Sequence, residues 1–338
     1  MKIVFLILKR GEGIRGAEVF VQEVSKRLGV RNKVDVITGK VGDLPRWPLL
    51  WRAYLDPWGL AVAWFTLKKA PTLWSEKYDV VVPVNGGWQP AIVRLLTWLR
   101  GGKMVISGQS GKGWDDRNNL WCFPNMFVTL STKLKNWAKA ANPFVKVEQI
   151  PNGVDLIRFN PSGKKVDFKL ERPVILSVGA LEEDKRMDLV LKAVARFSQG
   201  SLVVVGRGSQ EGKLAAMGER LLKGRFLITS FDFDMMPQVY RGADLFTLAS
   251  PWYRSFEIVI VEAMASNLPV VVNNDEIRAE IVGDAGLLVD PTNSEEYAGI
   301  IKNALDKHWG EKPRMRAKKF DWDEIAGQYE ELFESLTK

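Results

Sequence analysis

The stretch from Ala243 to Asn274 constrains the fold more than any other part of this 338-residue chain. An apolar run at 245–248 predicts a strand, 258–266 predicts a buried helix, and 270–272 predicts a second strand. A helix that begins soon after a strand directs backbone N–H groups and the positive end of its dipole at one point. The stretch therefore predicts an α/β fold with a phosphate site at the start of this helix.

One carboxylate, Glu262, lies inside the predicted helix among apolar neighbours such as Val261 and Met264. A buried carboxylate needs hydrogen-bonding partners or a ligand. The apolar neighbours alone leave two interpretations open: Glu262 binds a ligand, or it lies on a solvated helix face. Just past the helix, Asn267 suits the left-handed conformation that ends many helices.

The composition indicates a globular protein long enough for two domains, with 46% hydrophobic and 26% charged residues. Cys122 is the only cysteine, which excludes a disulfide framework or a thiolate metal cluster and fits a reducing compartment. His308 is the only histidine, so mechanisms that need several histidines are excluded. The first residues, MKIVFLILKR, are too short an apolar run for a signal peptide and predict a buried strand.

Charge and tryptophan are unevenly distributed. Up to residue 165 there are 26 Lys and Arg against 12 Asp and Glu, whereas the remainder has 22 against 28. Ten of the 13 tryptophans precede residue 150. Residues 45–69 combine four of them with basic residues, but prolines and Asp56 interrupt the run. This pattern fits a segment on an anionic membrane surface, and the alternative is a pair of helices packed on a sheet. No nucleic-acid-binding motif is present, and we expect no nucleic-acid partner.

The first half predicts strands and helices in alternation. A strand at Lys2–Leu8 and a helix at Gly16–Leu28 flank the glycine-rich turn 11–16, which has the form G-x-G-x-x-G. Asp35 follows, but near the start of the next strand, whereas a ribose-binding acid belongs at the far end. The turn is therefore either a nicotinamide-dinucleotide site or an ordinary strand-to-helix turn. Further predicted elements are strands 80–84, 104–107, 127–130 and 147–150 and helices 89–99 and 133–141.

The second half begins again with a strand at Val174–Val178 and a glycine turn at Gly179. Lys185 lies just before the next predicted helix, 187–197, which suits a diphosphate-binding loop, and the less favoured alternative is that Lys185 and Arg186 are an exposed charge pair. A strand at 202–205 ends in the turn 206–208, and 294–305 predicts a late helix. The sequence 232–234 has the D-x-D form of some metal sites, but Asp234 is interpreted more simply as a helix N-cap, and no metal is expected.

Two motifs resemble those of the family-four retaining glycosyltransferases, the glycosyl transferases of group 1. IPNGVDLIRFNP at 150–161 is similar to the family's IPNGVD-x-x-x-F-x-P signature. SFEIVIVEAMASNLPVVV at 255–272 is similar to the family's second Glu, in EAMA, with the following Leu-Pro and valine run. The resemblance implies the GT-B fold, an α/β architecture of two Rossmann-like domains facing each other across a cleft. We place an acceptor-side domain at 1–163, a nucleotide-sugar domain at 164–319 and a final helix, 320–338, crossing back to the first domain.

The resemblance also assigns roles to individual residues. It implies that Glu262 holds the ribose hydroxyls and that Lys185 and the backbone amides of Ile258 and Val259 hold the diphosphate. Glycine turns are implied to surround the donor, and one loop of the first domain is implied to lie near the sugar. The residues implied in these glycine turns are Gly179, Gly206 and Arg207, together with Arg15 and Gly16 in the first turn of the chain. The residue implied in the loop near the sugar is Gln109, in place of the family's histidine.

Three positions depart from the family pattern. Arg254 occupies the place of the first Glu, which contacts the sugar ring in the family, and Glu257 replaces a glycine. Gln109 can hold a sugar hydroxyl but cannot transfer a proton at neutral pH. Three interpretations stay open: Arg254 selects an acidic sugar or braces the diphosphate, Glu257 supplies the missing carboxylate, or transfer activity has been lost.

The implied reaction is metal-independent transfer from a nucleotide-diphosphate sugar, with retention of configuration and with no cofactor beyond this donor. Positive groups stabilise the departing diphosphate, and a donor phosphate oxygen takes the acceptor proton. We expect a glycan or lipid-linked acceptor and a cytoplasmic protein peripheral to the inner membrane face. The rival hypotheses are a nucleotide-sugar-binding protein without catalysis and an oxidoreductase that uses the turn 11–16.

Overall fold

The computed structural model describes residues 1–11, 16–42, 44–45, 47–251, 253 and 255–338. Within them the chain forms two compact units. The first comprises Met1–Asn152 and Trp322–Lys338, and the second comprises Gly153–Asp321. Each contains one six-stranded sheet of parallel strands. The predicted α/β class with two Rossmann-like domains is therefore confirmed.

The first unit alternates strands and helices along the chain. Its strands are β1 (Lys2–Arg10), β2 (Lys33–Val41), β3 (Val80–Pro83), β4 (Lys103–Ser107), β5 (Met126–Thr129) and β6 (Val147–Gln149). Its helices are α1 (Gly16–Leu28), α2 (Pro57–Glu76), α3 (Trp88–Arg100), α4 (Trp114–Trp121) and α5 (Thr132–Ala141), and the unit ends with α13 (Trp322–Thr337). The sheet order is β2-β1-β3-β4-β5-β6.

The strand order places helices on both faces of this sheet. Right-handed connections put α1 on one face and α2 to α5 on the other. On the α1 side, the Phe20 ring lies 6.2 Å from Phe5 and 5.5 Å from Tyr329 of α13. On the other face, Val62 and Val93 pack with alternate residues of β1, β3, β4 and β5 in one core cluster. Burial on both faces explains why these strands are nearly continuous apolar runs.

The second unit has its own set of alternating elements. Its strands are β7 (Val174–Val178), β8 (Ser201–Val205), β9 (Phe226–Thr229), β10 (Leu245–Leu248), β11 (Val270–Asn273) and β12 (Gly286–Val289). Its helices are α6 (Met187–Val194), α7 (Glu211–Leu222), α8 (Met236–Gly242), α9 (Ile258–Ala265), α10 (Glu276–Val282), α11 (Ser294–Asp306) and α12 (Lys312–Ala317). The sheet order β12-β11-β10-β7-β8-β9 is the strand order of doubly wound dinucleotide-binding folds.

The division between the units lies after Asn152 and not after Gly163, where the polar linker was predicted. The segment that follows Asn152 packs in the second unit: the Val154 amide donates to the Phe320 carbonyl at 2.8 Å. The Phe159 ring lies 5.9 Å from that of Tyr240. These long-range contacts fix 153–163 to the second unit, while the polar composition of 161–165 marks only an exposed loop.

The tryptophan-rich segment 45–69 is partly a packed helix. It includes a 3-10 turn at Leu50–Ala53 and the first part of α2. Val62 and Phe65 of α2 are buried against the sheet, whereas Trp64 is 71% exposed. Among the helices formed by the residues described above, none is both long enough and apolar enough to cross a membrane.

Candidate functional site

The strand order of the second unit marks where a ligand would bind. β7 and β10 are neighbours from which the chain winds in opposite directions, and ligands of such sheets bind outside the carboxyl ends of strands at this point. Lys185 lies in the loop after β7, and Glu257 lies in the loop after β10. Lys185 Nζ donates to both Glu257 oxygens, at 2.9 and 3.1 Å. Two of the predicted site residues therefore meet at the switch point.

Glu257 is surrounded by positive charge. Arg278 of α10 lies 3.5 Å from Glu257 Oε1, and its side chain is only 1% exposed. Burial alone would raise the pKa of Glu257, but the charges of Lys185 and Arg278 outweigh it and hold this pKa below its ordinary value. Glu257 is therefore an ionised, nearly buried carboxylate, which accepts hydrogen bonds and cannot donate one.

Two glycine turns bring the loops after β7 and β8 into close contact. The Leu181 amide donates to the Arg207 carbonyl at 2.9 Å. A Cβ atom on Gly206 would lie 1.9 Å from the carbonyl oxygen of Gly179, and one on Gly208 would lie 2.5 Å from that of Leu181. No side chain fits at these positions, so the glycines are needed for the close approach of backbone to backbone. The exposed Arg207 donates from Nε to Ser230 Oγ at 2.9 Å.

The start of α9 adds further positive potential beside Lys185. The Ile260 amide donates to the Glu257 carbonyl at 3.0 Å, so the helical hydrogen bonds begin there. The first amides of a helix, here those of Ile258 and Val259, lack intrahelical acceptors. They and the helix dipole favour an anion at this end. The predicted diphosphate ligands thus lie in adjacent loops of one unit.

Glu262 is buried in α9, with 5% of its surface exposed. The interpretation as a residue on a solvated helix face is therefore wrong. The Tyr240 hydroxyl donates to Glu262 Oε2 at 2.7 Å. Burial raises the pKa of Glu262 to about 7, which the hydrogen bond from Tyr240 and the charge of Arg158 offset only in part. Its predicted contact with ribose stays a prediction.

Two predicted site residues, Arg15 and Arg254, lie outside the described residues. Gly16 is described and is the exposed first residue of α1. Asp35 lies near the beginning of β2, where it accepts a hydrogen bond from the Tyr78 hydroxyl at 2.7 Å. Dinucleotides bind at the carboxyl ends of parallel strands, whereas Asp35 lies near the amino end of β2. Asp35 therefore has no place in a nicotinamide site.

Gln109, in the loop after β4 of the first unit, is part of an amide cluster. Asn152 Nδ2 donates to Gln109 Oε1 at 2.8 Å, and Gln109 Nε2 donates to Ser107 Oγ at 2.8 Å. Ser107 in turn is 3.0 Å from the Tyr329 hydroxyl of α13. A sugar hydroxyl that bound Gln109 would have to share or replace these hydrogen bonds. The contact between Gln109 and the sugar therefore stays a prediction, and it requires a sugar hydroxyl to compete with the hydrogen bonds of this cluster.

The predicted capping role of Asp234 is wrong. Asp234 lies within a 3-10 turn, and its side chain, 94% exposed, pairs with Arg158 at 2.6 Å. Pro237 lies in the first turn of α8, whose N-cap residue Met235 makes no side-chain capping bond. In the part of the chain that the structure describes, no three His, Cys, Asp or Glu residues are grouped to hold a metal ion.

Two further residues, Arg278 and Tyr240, shape this site although no sequence motif predicts them. Arg278 is the third residue of α10 and reaches Glu257, which is 21 positions away in sequence. Tyr240 reaches Glu262 from α8, 22 positions away. Neither belongs to a recognisable motif, and only the requirement that buried carboxylates be neutralised or hydrogen-bonded predicts that such partners exist.

In a comparison with known proteins, residues 160–320 match the family described as glycosyl transferases group 1. The phosphatidyl-myo-inositol mannosyltransferase of Mycolicibacterium smegmatis is 28% identical over 222 residues, which are 62% of this chain and 57% of that protein. The N-acetylgalactosamine-N,N'-diacetylbacillosaminyl-diphospho-undecaprenol 4-alpha-N-acetylgalactosaminyltransferase of Campylobacter jejuni is 30% identical over 213 residues, 60% of this chain and 57% of that protein. The chain thus spans less than two thirds of the length of these relatives.

The fold is similar to that of solved structures along nearly its whole length. The structure of Anabaena HepE in complex with UDP-glucose aligns with a TM-score of 0.76 and 20% identity, covering 99% of this chain and 100% of that one. At this level of identity the similarity establishes a common fold. It agrees with the GT-B architecture that the two motifs predicted.

Proposed function

We propose that this chain transfers a sugar from a nucleotide-diphosphate donor to an acceptor, with retention of configuration, because its residues 160–320 match the family described as glycosyl transferases group 1. The observation that carries the proposal is the Lys185–Glu257 pair at the switch point of the second sheet. It combines an ammonium group for a diphosphate, an adjacent helix start and an ionised carboxylate for sugar hydroxyls in one place.

The donor would lie across the loops after β7, β8 and β10. In this arrangement Lys185 and the amides of Ile258 and Val259 bind the diphosphate, and Glu262 accepts the ribose hydroxyls. Gly206 and Arg207 lie beside the base. Glu257, held by Lys185 and Arg278, accepts hydroxyl protons of the sugar. The charges and positions of Lys185 and Glu257 support their roles, whereas the roles of Glu262, Gly206 and Arg207 rest on the resemblance to the family.

In the proposed reaction no side chain of the protein forms a covalent bond to the sugar. The acceptor hydroxyl oxygen forms a bond to the anomeric carbon while the bond from that carbon to the phosphate oxygen breaks. The departing phosphate oxygen takes the acceptor proton, and attack on the face that it leaves retains the configuration. Lys185 and the start of α9 stabilise the negative charge that develops on the diphosphate. The proposal therefore uses neither a metal ion nor a cofactor.

The acceptor that we propose is lipid-linked or part of a cell-surface glycan. Two relatives are named for such compounds, phosphatidyl-myo-inositol and diphospho-undecaprenol derivatives. HepE was solved with UDP and with UDP-glucose, which supports a nucleotide-diphosphate sugar as the donor. A protein of this kind would act on the cytoplasmic side, peripheral to the membrane that holds its acceptor.

A thermal-shift screen against nucleoside diphosphates and nucleotide-diphosphate sugars tests the proposal. A ligand that binds only the folded state raises the melting temperature by mass action. We expect one nucleotide class to stabilise the wild-type protein and to lose this effect in Lys185→Met but not in Lys192→Met. Lys192 is a suitable control because it is half exposed and pairs with Asp188. A screen in which no nucleotide raises the melting temperature would contradict the proposal.

One observation favours a second candidate, a nucleotide-sugar-binding protein without transfer activity. Lys185 and Gln109 are both engaged by other side chains, namely Glu257 and Asn152. Release of the free nucleoside diphosphate from the stabilising nucleotide sugar separates the candidates. An enzyme releases it by slow hydrolysis or by transfer to a membrane extract, whereas a binding protein returns the nucleotide sugar intact.

A further inference from the structure

The first unit carries two exposed apolar stripes on neighbouring helices. On α2, Leu60, Trp64 and Leu67 are 47%, 71% and 53% exposed and follow the spacing of one helix face. On α3, Leu95, Trp98 and Leu99 are 55%, 72% and 56% exposed, again on one face. We call these six residues the α2–α3 face.

The two stripes belong to one surface. α2 and α3 pack on each other, and their opposite sides, with Val62 and Val93, are buried in the same core cluster of the first sheet. Both outward sides therefore face away from the same face of that sheet. Contiguous exposed apolar surface of this kind, in contrast to scattered residues, marks a binding surface.

The charges around this face are mainly positive. Between residues 57 and 100 the basic residues are Lys68, Lys69, Lys77, Arg94 and Arg100, and the acidic ones are Glu76 and Asp79. Both acids are bound by Lys2 at the start of β1: Nζ pairs with Glu76, and the backbone amide donates to Asp79 at 2.7 Å. Five basic residues against two acidic ones leave a net positive charge beside the apolar stripes, and the Lys2 ammonium group offsets the charge of Glu76 as well.

Arginine and tryptophan are also in direct contact near the ends of both helices. The Arg100 guanidinium lies 4.6 Å from the centre of the Trp74 ring and donates to the Trp74 carbonyl at 3.0 and 3.1 Å. Aromatic rings flanked by basic groups suit the interface of a bilayer, where the ring lies at the headgroup level and the cation meets lipid phosphate.

We infer that the α2–α3 face docks on the surface of an anionic phospholipid membrane. The segment 45–69, proposed from sequence, supplies only part of this surface, because α3 contributes the other stripe. A second copy of the chain is a poorer partner, since a two-fold contact would place Lys68 and Lys69 against the same positive groups. The inference deepens the proposed function, on which it rests for its lipid-linked acceptor.

Vesicle sedimentation of the full chain tests the inference. We compare phosphatidylcholine vesicles with vesicles that also contain phosphatidylglycerol, without any nucleotide. The wild-type protein should sediment with the anionic vesicles and be released at about 0.5 M salt, where charges are screened within a few ångströms. Binding that is equal on both kinds of vesicle, or absent from both, would overturn the proposal.

Matched variants locate the surface. Trp64→Ala with Trp98→Ala should weaken binding to anionic vesicles about tenfold or more, because two interfacial rings are lost. Phe144→Ala is the control, since Phe144 is 81% exposed in the same unit but lies after α5. Lys68→Glu with Lys69→Glu should weaken binding at least tenfold, whereas the exposed pair Lys318→Glu with Lys319→Glu changes net charge equally and should not.

Two further measurements keep the outcomes distinct. Light scattering reports the oligomeric state, and a wild-type dimer that Trp64→Ala with Trp98→Ala converts to monomer, without vesicle binding, would show a self-association surface instead. The thermal shift caused by the best nucleotide should be unchanged in the tryptophan variant. If vesicle binding fails while this shift persists, only the docking inference falls. If vesicle binding holds and no nucleotide binds, only the proposed function falls.

Discussion

The two units build their functional loops from different chemistry on similar sheets. At the carboxyl ends of β7 and β10, the second unit gathers Lys185, Glu257 and the nearly buried Arg278. After β4, the first unit gathers the neutral amides of Gln109 and Asn152. A site rich in buried charge suits a charged ligand whose binding replaces ion pairs, whereas neutral amides suit hydroxyl groups. The difference supports a donor in the second unit and makes separate tests of each unit informative.

The largest effect that we expect comes from a substitution in the second unit that leaves no room for two backbone segments to approach each other. Gly206→Ala places a Cβ atom 1.9 Å from the Gly179 carbonyl oxygen, and backbone cannot yield as a flexible side chain does. We expect the free energy of unfolding to fall by about 3 kcal/mol or more, measured by urea denaturation. Nucleotide binding should be lost with it.

Gly212→Ala is the control for this substitution. Gly212 lies in α7 with nothing within 4 Å of an added Cβ. Since the added Cβ meets no atom and alanine favours a helix more than glycine does, this variant should be at least as stable as the wild-type protein. A Gly206→Ala protein as stable as wild type would show that the loops after β7 and β8 do not approach as described.

The next largest effects are expected when the two partners of the Lys185–Glu257 ion pair are substituted one at a time. Lys185→Met removes a charged donor and should weaken binding of the best nucleoside diphosphate by about a hundredfold. Glu257→Gln removes a competing carboxylate, so it should bind the free nucleoside diphosphate more tightly while transfer of the sugar falls. Calorimetry and a transfer assay measure the two quantities.

The two substitutions should change the affinity for the nucleoside diphosphate in opposite directions, and this difference is the decisive result. Lys192→Met should change neither quantity, because Lys192 is half exposed and pairs with Asp188 in its own helix. Weaker nucleotide binding in Glu257→Gln would mean that Glu257 serves to hold Lys185 in place, and its role toward the sugar would be withdrawn.

Sequence patterns predicted what depends on local interactions. The helix Gly16–Leu28 has the predicted bounds, and Asn267 has the predicted positive φ of 62°. The Lys185–Glu257 contact joins residues 72 positions apart, which only the strand order of the sheet brings together. The resemblance named both residues, but neither their pairing nor the contribution of Arg278 could be derived from spacing.

The domain boundary was misplaced for a related reason. The polar residues 161–165 indicate exposure, and exposure is a local property. Membership of a unit depends on long-range contacts, such as the bridge between Val154 and Asp321. The α2–α3 face shows the same limit, since the sequence indicated an amphipathic segment at 45–69 but not that α3 completes the surface.

A smaller effect compares two buried carboxyl groups with a raised pKa, Glu262 in the second unit and Asp116 in the first. Burial raises the pKa of Glu262 to about 7 and, with the charge of Asp115, raises that of Asp116 to about 7. A raised carboxyl pKa means that the folded state binds the proton more tightly. The resulting stability is present below the ordinary pKa of 4.5 for Glu262 and is lost as the pH rises through about 7. Glu262→Gln and Asp116→Asn should each flatten part of this decline in urea titrations at several pH values.

Ligand binding distinguishes these carboxylates. An ionised Glu262 accepts ribose hydroxyls, so affinity for a nucleotide-diphosphate sugar should rise as the pH passes about 7. Glu262→Gln should lose this rise and bind about tenfold more weakly at pH 8. Asp116→Asn should keep the rise, because Asp116 lies in α4 of the first unit and accepts hydrogen bonds from the backbone amides of Ser110 and Gly111 in the preceding loop. A nucleotide sugar is preferred as ligand, since its diphosphate has no proton to lose in this range.

The smallest effect concerns the amide cluster of the first unit. Gln109→Ala deprives Asn152, 2% exposed, of the acceptor for its amide group and should cost about 1–2 kcal/mol of unfolding free energy. Gln22→Ala, on the exposed side of α1, should cost almost nothing. Nucleotide affinity should not change, because no second-unit residue is altered. If the sugar transfer rate falls far more than this stability loss explains, Gln109 contacts the substrate. If transfer by the folded protein is unchanged, the amides only join the loop after β4 to Asn152, and the sugar contact that the resemblance implied must be assigned to another residue.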